Sequence, residues 1–349
     1  MAAVSREGHR RGVRRAAEGA GAGQERVSAI QRSRMLVALV EVARERGVTQ
    51  ASVAHIVARA GVSRRTFYEL FEDREDCFLA AFDHALACAA EVVVPAFDGE
   101  SGWRERVRVG LTALLRFLDE EPGLGGLLVV DSLSAGPRAL ECRERVLDAL
   151  IAAVDAGRFE GKTAGESPPL AAEGVVGAVF SVVHARMLRQ RAANVNGARD
   201  GRGARESGES SFLGLLNQLM GMIVMPYLGT AAAKRELTRA APAVRVVKRF
   251  QADPLRDLDM RLTYRTIRVL VAIAAMPGAS NRRIADTAGV SDQGQISKLL
   301  TRLEHLGLVA NVGEGPAKGE PNAWTLTPKG GDVERAIHAE TGNQGGQTP

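Results

Sequence analysis

The chain has 349 residues and a formal net charge of +5, with 46 Lys and Arg residues against 41 Asp and Glu. This length allows two or more domains with separate cores, and the mild positive charge fits a nucleic-acid partner without establishing one. The three cysteines have no zinc-binding spacing, and their odd number argues against a disulfide framework. We therefore expect a cytoplasmic protein without a metal or other cofactor. No apolar segment follows the Arg-rich N-terminus, which argues against a secretory signal.

The N-terminal part of the chain predicts a basic arm followed by a helical domain. Residues 1–25 are rich in Gly, Ala and Arg without periodicity, which is typical of a disordered arm. Residues 26–90 show helical periodicity and no strand pattern. Ser is a preferred N-cap, so the predicted helices begin near Ser28, Ser52, Ser63 and residue 74. We assign 26–90 as a helix-turn-helix domain.

An eight-residue pattern occurs twice in the chain, as IVARAGVS at 56–63 and as IADTAGVS at 284–291. In each copy a short helix ends at a glycine, Gly61 or Gly289, which can take the left-handed conformation needed at a helix C-terminus. An apolar Val follows, and then a Ser placed to cap the next helix. This arrangement is typical of the hinge of a helix-turn-helix, whose second helix enters a DNA groove. The repeat therefore predicts two DNA-reading modules.

Helical periodicity divides the helix after Ser63 into two faces. The predicted inner face holds Phe67 and neighbouring apolar residues, whereas Arg64, Arg65 and Tyr68 point outward. Arg can bridge guanine O6 and N7, Thr can contact a thymine methyl group, and a Tyr hydroxyl can reach phosphate. The predicted DNA-binding residues of this module are Ser52, Ser63, Arg64, Arg65, Thr66, Tyr68 and Arg74.

The run from about 28 to 88, with AGVSRRTFYELF at 60–71 and DRE at 73–75, closely resembles the DNA-binding domain of the tetracycline-repressor (TetR) family. The resemblance implies a homodimeric, all-helical transcription regulator. Its divergent C-terminal half would bind a small molecule and supply the dimer interface. Leu70 stands where His is common in the family, and Arg74 stands where Lys is usual. Arg still contacts phosphate, so the predicted role of that position is kept.

Residues 91–237 predict a helical domain for ligand binding and dimerisation. Breaks are expected at 121–123, 166–169 and 196–210, because Gly, Pro and Ser cluster there. The two long helices flanking the last break are apolar nearly all round, which predicts packing against a second subunit. The weak ligand-binding candidates are Trp103, His184 and Met187. Ordinary packing in a core or interface is the alternative for Trp103 and His184.

The C-terminal part of the chain predicts a winged helix. Residues 238–260 form an expected linker, and 261–340 contain three helical segments followed by two short β-type runs around a Gly/Pro-rich loop. Residues 341–349 resemble a loose tail. The fold class is therefore mainly α, with an N-terminal helix-turn-helix, a central helical domain and a C-terminal winged helix with a small β-hairpin.

The second module carries polar residues suited to DNA contact. Gln293 or Gln295 could read adenine, and Lys298 or Arg302 could hold phosphate. The full set of candidates is Ser291, Gln293, Gln295, Ser297, Lys298, Arg302 and Lys318. Residues 262–331, with LTPKG at 326–330, are similar to MarR-type winged helices. Winged helices also bind proteins, so docking to a protein partner stays open as the alternative.

These features together predict a DNA-binding transcription regulator of the repressor type, with no enzymatic activity and no membrane partner. Two first-module recognition helices of a homodimer would enter successive major grooves of a pseudo-palindromic operator, about 34–36 Å apart. A small-molecule effector would release the DNA by favouring a dimer form with a different spacing. No paired acid and base or nucleophile arrangement supports an enzyme.

Overall fold

The computed structural model describes residues 28–160, 167–200, 211–244, 264–313 and 322–342. These residues are mainly helical, with a two-stranded antiparallel sheet near the C-terminus, which confirms the predicted fold class. The predicted basic arm, most of the predicted linker, the loop that carries Lys318 and residues 343–349 lie outside the described residues.

The described residues form two compact units. One unit is built from the described parts of Met1–Val37, Val57–Leu70 and Ala252–Pro349. The other is built from Ala38–Ile56 and the described parts of Phe71–Gln251.

The helices and strands follow one another along the chain as α1 to α13, with the two strands between α12 and α13. The helices before the linker are α1 (28–46), α2 (Val53–Ala60), α3 (Arg64–Leu70), α4 (Arg74–Asp98), α5 (Trp103–Glu120), α6 (Pro122–Val129), α7 (Pro137–Asp155), α8 (Ala171–Asp200) and α9 (Leu216–Glu236). The elements after it are α10 (Tyr264–Ala275), α11 (Asn281–Ala288), α12 (Gln293–His305), β1 (Val309–Asn311), β2 (Trp324–Leu326) and α13 (Pro328–Gly342).

Side-chain caps explain where the first helices begin. The Oγ of Ser52 accepts the backbone N–H of His55 at 3.3 Å, and the Oγ of Ser63 accepts that of Thr66 at 3.0 Å. Asp73 caps α4 in the same way. Each oxygen satisfies a donor that the first turn of a helix leaves without an intrahelical partner. The caps predicted at Ser52 and Ser63 are therefore confirmed.

Two helix boundaries in the central region differ from the sequence prediction. The break expected at 121–123 is shorter, because Pro122 occupies the first position of α6, where a missing N–H costs nothing. The break expected from residue 196 begins later, since α8 continues to Asp200. Helix α9 bends near Gly229, whose φ of 74° is not helical.

Aromatic side chains fill the core around α5. Trp103 is 5% exposed and donates its indole N–H to the carbonyl of Ala153 at 3.0 Å. Its ring meets that of Tyr227 edge to face, with centroids 5.2 Å apart. A Cβ at Gly157 would lie 2.4 Å from the Trp103 ring, so the absence of a side chain at 157 permits this packing.

A buried ion pair joins α5 to the end of α9. Arg108 and Glu236 are both 0% exposed, and their Nη1 and Oε2 atoms are 2.6 Å apart. A second guanidinium nitrogen of Arg108 donates to Asn217 Oδ1 and to the carbonyls of Arg239 and Ala240, at 2.9 to 3.1 Å. The paired charge and the acceptors of both Nη atoms offset the cost of burial, whereas Nε of Arg108 has no hydrogen-bond acceptor among the described residues.

A second ion pair, between Arg239 and Glu105, lies beside this network and is more exposed. Arg239 donates two hydrogen bonds to Glu105, at 2.6 and 2.7 Å. These bonds favour the charged form and hold the pKa of Glu105 below its ordinary value, against the opposing effect of burial. The segment that follows α9 is thereby fixed to α5.

The C-terminal elements form three helices, a hairpin and a closing helix. Strands β1 and β2 pair antiparallel, with Val309 opposite Leu326 and Asn311 opposite Trp324. The core beneath them is apolar and nearly inaccessible, and includes Ile273, Ile284, Ile296, Leu300, Leu303 and Trp324. Helix α13 was not predicted from the sequence, and it places Val333 in this core.

Three helices among the described residues are long and apolar enough, by length and composition alone, to cross a membrane. They are Arg74–Asp98, Ala171–Ala193 and Leu213–Glu236, and their most apolar stretches are 44%, 22% and 39% buried. On α9, Met220 and Val224 are fully inaccessible, whereas Met225 is 50% exposed.

Candidate nucleic-acid interface

The two repeated hinges have the same backbone geometry. Gly61 has a φ of 65° and Gly289 a φ of 62°, so both take the predicted left-handed conformation. The N–H of Val62 donates to the carbonyl of Val57 at 3.1 Å, and the N–H of Val290 donates to that of Ala285 at 2.8 Å. Each bond closes the end of the preceding helix five residues back, as a Schellman motif does.

An arginine from an earlier helix covers each hinge glycine. Arg34 Nη2 lies 3.5 Å from the position that a Cβ of Gly61 would occupy, and Arg268 Nη2 lies 2.9 Å from that of Gly289. Arg268 also donates to the carbonyl of Thr287 at 3.3 Å. Both hinges therefore require glycine for its backbone conformation, and at the second an added Cβ would also displace the end of the Arg268 side chain.

The cap of α12 corrects one sequence prediction. Ser291 was expected to cap this helix, but Oδ1 of Asp292 accepts the N–H groups of Gly294 at 2.8 Å and Gln295 at 3.1 Å. The helix begins one residue later than the repeat implied, and a carboxylate is favoured there by the helix dipole. A Cβ at 294 would lie 3.2 Å from this oxygen, so Gly294 leaves room for the cap.

Helix α3 exposes the side chains that were predicted to face outward. Arg64 is exposed, the Arg65 side chain is 89% exposed and Tyr68 is 60% exposed. Phe67, in contrast, is 0% exposed and holds the helix to its core. Thr66 is half-buried beside Ser63, and their hydroxyl oxygens are 2.8 Å apart. The three exposed residues form the outer face of α3.

Two arginines of this module have partners within the protein. Arg65 Nε donates to Glu69 Oε1 at 2.8 Å across one helical turn. An exposed pair of this kind contributes little to stability, so Arg65 can exchange it for another acceptor. Arg74 donates from Nη1 to the carbonyl of Val48 at 2.7 Å, which orients its side chain. A guanidinium has five N–H donors, so this bond leaves Arg74 others for a phosphate.

The predicted polar residues of the second module lie on one exposed face of α12. Gln293, Gln295, Ser297, Lys298 and Arg302 are all exposed, as is Ser291 just before the helix. The opposite face is buried in the apolar core. Lys318 lies outside the described residues.

Two residues beside α12 were not found by sequence reasoning. Arg265 donates to the side-chain oxygen of Gln295, and Asn281 Nδ2 donates to Ser297 Oγ at 3.1 Å. Each of these hydrogen bonds joins residues that are at least 16 positions apart in the sequence, so no local pattern reveals them.

A cavity of about 380 Å³ lies between α7 and α8. His184, a weak ligand-binding candidate, is among its lining residues, together with Arg143, Glu173 and Phe180. Trp103 and Met187 do not line it. Trp103 packs around α5 as described above, and Met187 is 3% exposed and lies near Gly125.

Arg143 gives this cavity a positive charge that the sequence did not single out. Its guanidinium carbon lies 5.3 Å from the centre of the Phe180 ring. Within the described part of the chain, its buried Nε–H has no hydrogen-bond acceptor. Burial lowers the pKa of Arg143, because removal from water disfavours the cation. An anionic group in the cavity would supply the missing acceptor.

Residues 35–81 match the family model described as bacterial regulatory proteins of the tetR family. This segment is similar to the N-terminal part of tetR-family regulators. It contains α2, α3 and the start of α4, and therefore the first hinge and the outer face of α3. The TetR-type assignment made from the sequence is supported over these residues.

A curated relative agrees with this match. The HTH-type transcriptional activator FasR of Mycolicibacterium smegmatis is 27% identical over 121 residues, which is 35% of this chain and 55% of the relative. The chain thus spans about half the length of the curated relative that it matches. Both matches are to bacterial transcription regulators.

Solved structures of two regulators are also similar to this chain, at lower sequence identity than the curated relative. The fatty acid degradation regulator FadR from Bacillus halodurans is 16% identical, with a TM-score of 0.43 over 55% of this chain and 94% of that chain. FadR from Bacillus subtilis in complex with stearoyl-CoA is 17% identical, with a TM-score of 0.41 over 55% and 96%.

Proposed function

We propose that this chain is a TetR-family transcription regulator that binds a pseudo-palindromic DNA operator as a homodimer through α3. The observation that carries the proposal is the outer face of α3, where Arg64, Arg65 and Tyr68 project from a hinge closed by Gly61. This face lies within the segment that matches the tetR family model. Arg and Tyr side chains on an exposed helix after such a hinge are suited to base edges and phosphates.

Exposed apolar surface on α8 and α9 supports the homodimer. Only 22% of the most apolar stretch of α8 is buried within one chain, and Leu188 and Met225 are 44% and 50% exposed. Apolar side chains exposed on a protein in water are what a second subunit would cover. A second copy that covers both helices would bury it and place two α3 helices on one operator.

The cavity between α7 and α8 supports an effector site. Its walls include the apolar side chains of Leu147, Ile151 and Val176, and Arg143 adds a charge without a hydrogen-bond acceptor for its Nε. Glu173 and His184 line it as well. We infer an amphipathic carboxylate as the effector class, because an anion satisfies both the charge and the buried Nε–H of Arg143.

Repression is the output that we predict, because a dimer on an operator that overlaps a promoter blocks transcription. The relative from M. smegmatis is named an activator. The position of the operator relative to the promoter determines whether the bound dimer represses or activates transcription. A reporter gene with the operator placed upstream of the promoter or across it measures this effect.

The proposal is tested by selecting duplexes from a random library, about 60 base pairs long, with the full-length chain. The expected result is an enriched inverted repeat whose half-sites are centred about one helical turn, or roughly 10 base pairs, apart. Binding should weaken steeply as salt rises, because phosphate contacts release counterions. Failure to enrich any sequence over repeated rounds, with correctly folded protein, would contradict DNA recognition.

Replacing Arg143 by Met should weaken binding of a carboxylate such as decanoate by about tenfold to a hundredfold. The reason is that a hydrogen bond to a charged group contributes about 1.5–3 kcal/mol. Isothermal titration calorimetry measures the dissociation constant. The matched control is Arg145→Met, on the same helix and outside the cavity lining. Equal decanoate affinity in both variants would reject Arg143 as the anion partner.

A further inference from the structure

We propose that the C-terminal elements, α10 to α13 with the two strands, form a second DNA-binding module, in which α12 enters the major groove of double-stranded DNA. This goes beyond the proposed function, which depends on α3 alone. The module would contact DNA that flanks the sequence read by α3, so that one dimer carries four recognition helices.

The first argument is the geometry of the hinge before α12. Helices α2 and α11 both have eight residues, and both end at a glycine in the left-handed conformation. In both, the following Val is buried and donates to a carbonyl five residues back, while an arginine covers the glycine. The backbone therefore leaves α11 for α12 as it leaves α2 for α3. A helix presented in this way is the recognition element of a helix-turn-helix.

The second argument is the chemistry of the exposed face of α12. Every exposed residue of this helix is polar, charged or glycine: Gln293, Gly294, Gln295, Ser297, Lys298, Thr301, Arg302, Glu304 and His305. Gln can pair with adenine, and Lys and Arg can reach guanine or phosphate. Protein interfaces, in contrast, centre on apolar and aromatic residues and are depleted of Lys. The face fits nucleic acid better than a protein partner.

The third argument is charge complementarity around this helix. Arg265 lies beside Gln295, and Arg282 and Arg283 are exposed in the first turn of α11. Asp292 is committed to capping α12, and the exposed carboxylate within the helix, Glu304, lies in its last turn. The N-terminal half of α12 is therefore flanked by positive charge, which attracts a phosphate backbone.

A polar network also holds α12 in place. Asn281 Oδ1 accepts the indole N–H of Trp324 at 2.6 Å and an amide N–H of Asn322 at 3.2 Å. Asn281 Nδ2 donates to Ser297 Oγ on α12 at 3.1 Å. One side chain thus links α11, the outer face of α12 and the base of the hairpin. A surface fixed by such bonds is preorganised for its ligand.

The test uses full-length protein and the duplexes selected from the random library. In the variant Lys298→Glu/Arg302→Glu, hydroxyl-radical footprinting should show no protection outside the inverted repeat and full protection within it. Affinity near physiological salt should fall at least about tenfold, and the salt dependence of log K should become shallower by about 0.9 for each phosphate that is no longer neutralised. The matched control is Arg138→Glu/Arg145→Glu, which reverses two exposed charges on α7.

The variant Arg64→Ala/Arg65→Ala separates the two proposals. If both are right, this variant no longer protects the inverted repeat and still protects the flanking sequence at higher protein concentration. An unchanged footprint, affinity and salt dependence in the Lys298→Glu/Arg302→Glu variant would overturn the second DNA site, even if that face then proved to bind a protein. Circular dichroism melting curves of all variants confirm that each is folded.

Discussion

Replacing Arg64 and Arg65 together by Ala is expected to reduce operator affinity at least about a hundredfold. Both side chains project from α3, and Arg65 is held by an exposed bond to Glu69. A good contact between Arg and a guanine contributes about 1–3 kcal/mol, and a factor of ten corresponds to about 1.4 kcal/mol. Fluorescence anisotropy on a labelled selected duplex, at fixed salt, measures the decrease.

The control for this prediction is Arg138→Ala/Arg145→Ala, which removes two exposed positive charges from α7. It should leave affinity nearly unchanged, because α7 has no part in the DNA contacts proposed for α3. An equal decrease in both double variants would show that net charge, rather than the outer face of α3, determines binding. Retention of full affinity by Arg64→Ala/Arg65→Ala would rule out base reading by these residues.

Replacing Arg108 by Met is expected to destabilise the central helical region by about 3–5 kcal/mol, the cost of breaking a buried pair on one side. The change leaves the carboxylate of Glu236 fully buried with one partner fewer. It also removes the donor to Asn217 and to two backbone carbonyls. Urea unfolding followed by far-ultraviolet circular dichroism measures the shift in the midpoint.

Arg106→Met, on the same helix, is the comparison for Arg108. Arg106 pairs with Asp98 at 3.1 Å, and the two side chains are 39% and 61% exposed. The exposed pair contributes about 0–1 kcal/mol, and the guanidinium, 4.4 Å from the centre of the Phe97 ring, adds about 0.5–1 kcal/mol, so the midpoint should move less than for Arg108→Met. If Arg108→Met unfolds at the same urea concentration as Arg106→Met, the buried network does not stabilise the protein.

Local sequence patterns predicted the parts of the fold that depend on local physics. Gly61 and Gly289 were identified because few other residues take a positive φ at a helix end, and the structure gives both this conformation. Ser52 and Ser63 were identified as caps because their hydroxyls reach back to the first turn. The exposed and buried faces of α3 and α12 follow helical periodicity in the same way.

Features that depend on distant contacts were missed. Arg108 and Glu236 are separated by 128 residues, and neither stands out among the charged residues of its own helix. Arg143 is recognised as a candidate anion partner only from its contact with Phe180 and its place in the cavity wall, and both depend on the packing of α7 against α8. The cap at Asp292 was missed for a local reason, because the repeat drew attention to Ser291 although Asp is an equally good N-cap.

A crystal structure of the full chain with a selected duplex tests the central proposal most directly. We expect α3 to lie in the major groove, with a guanidinium of Arg64 or Arg65 about 2.7–3.2 Å from O6 or N7 of a guanine. A complex in which DNA binds elsewhere, while the outer face of α3 stays in solvent, would contradict it.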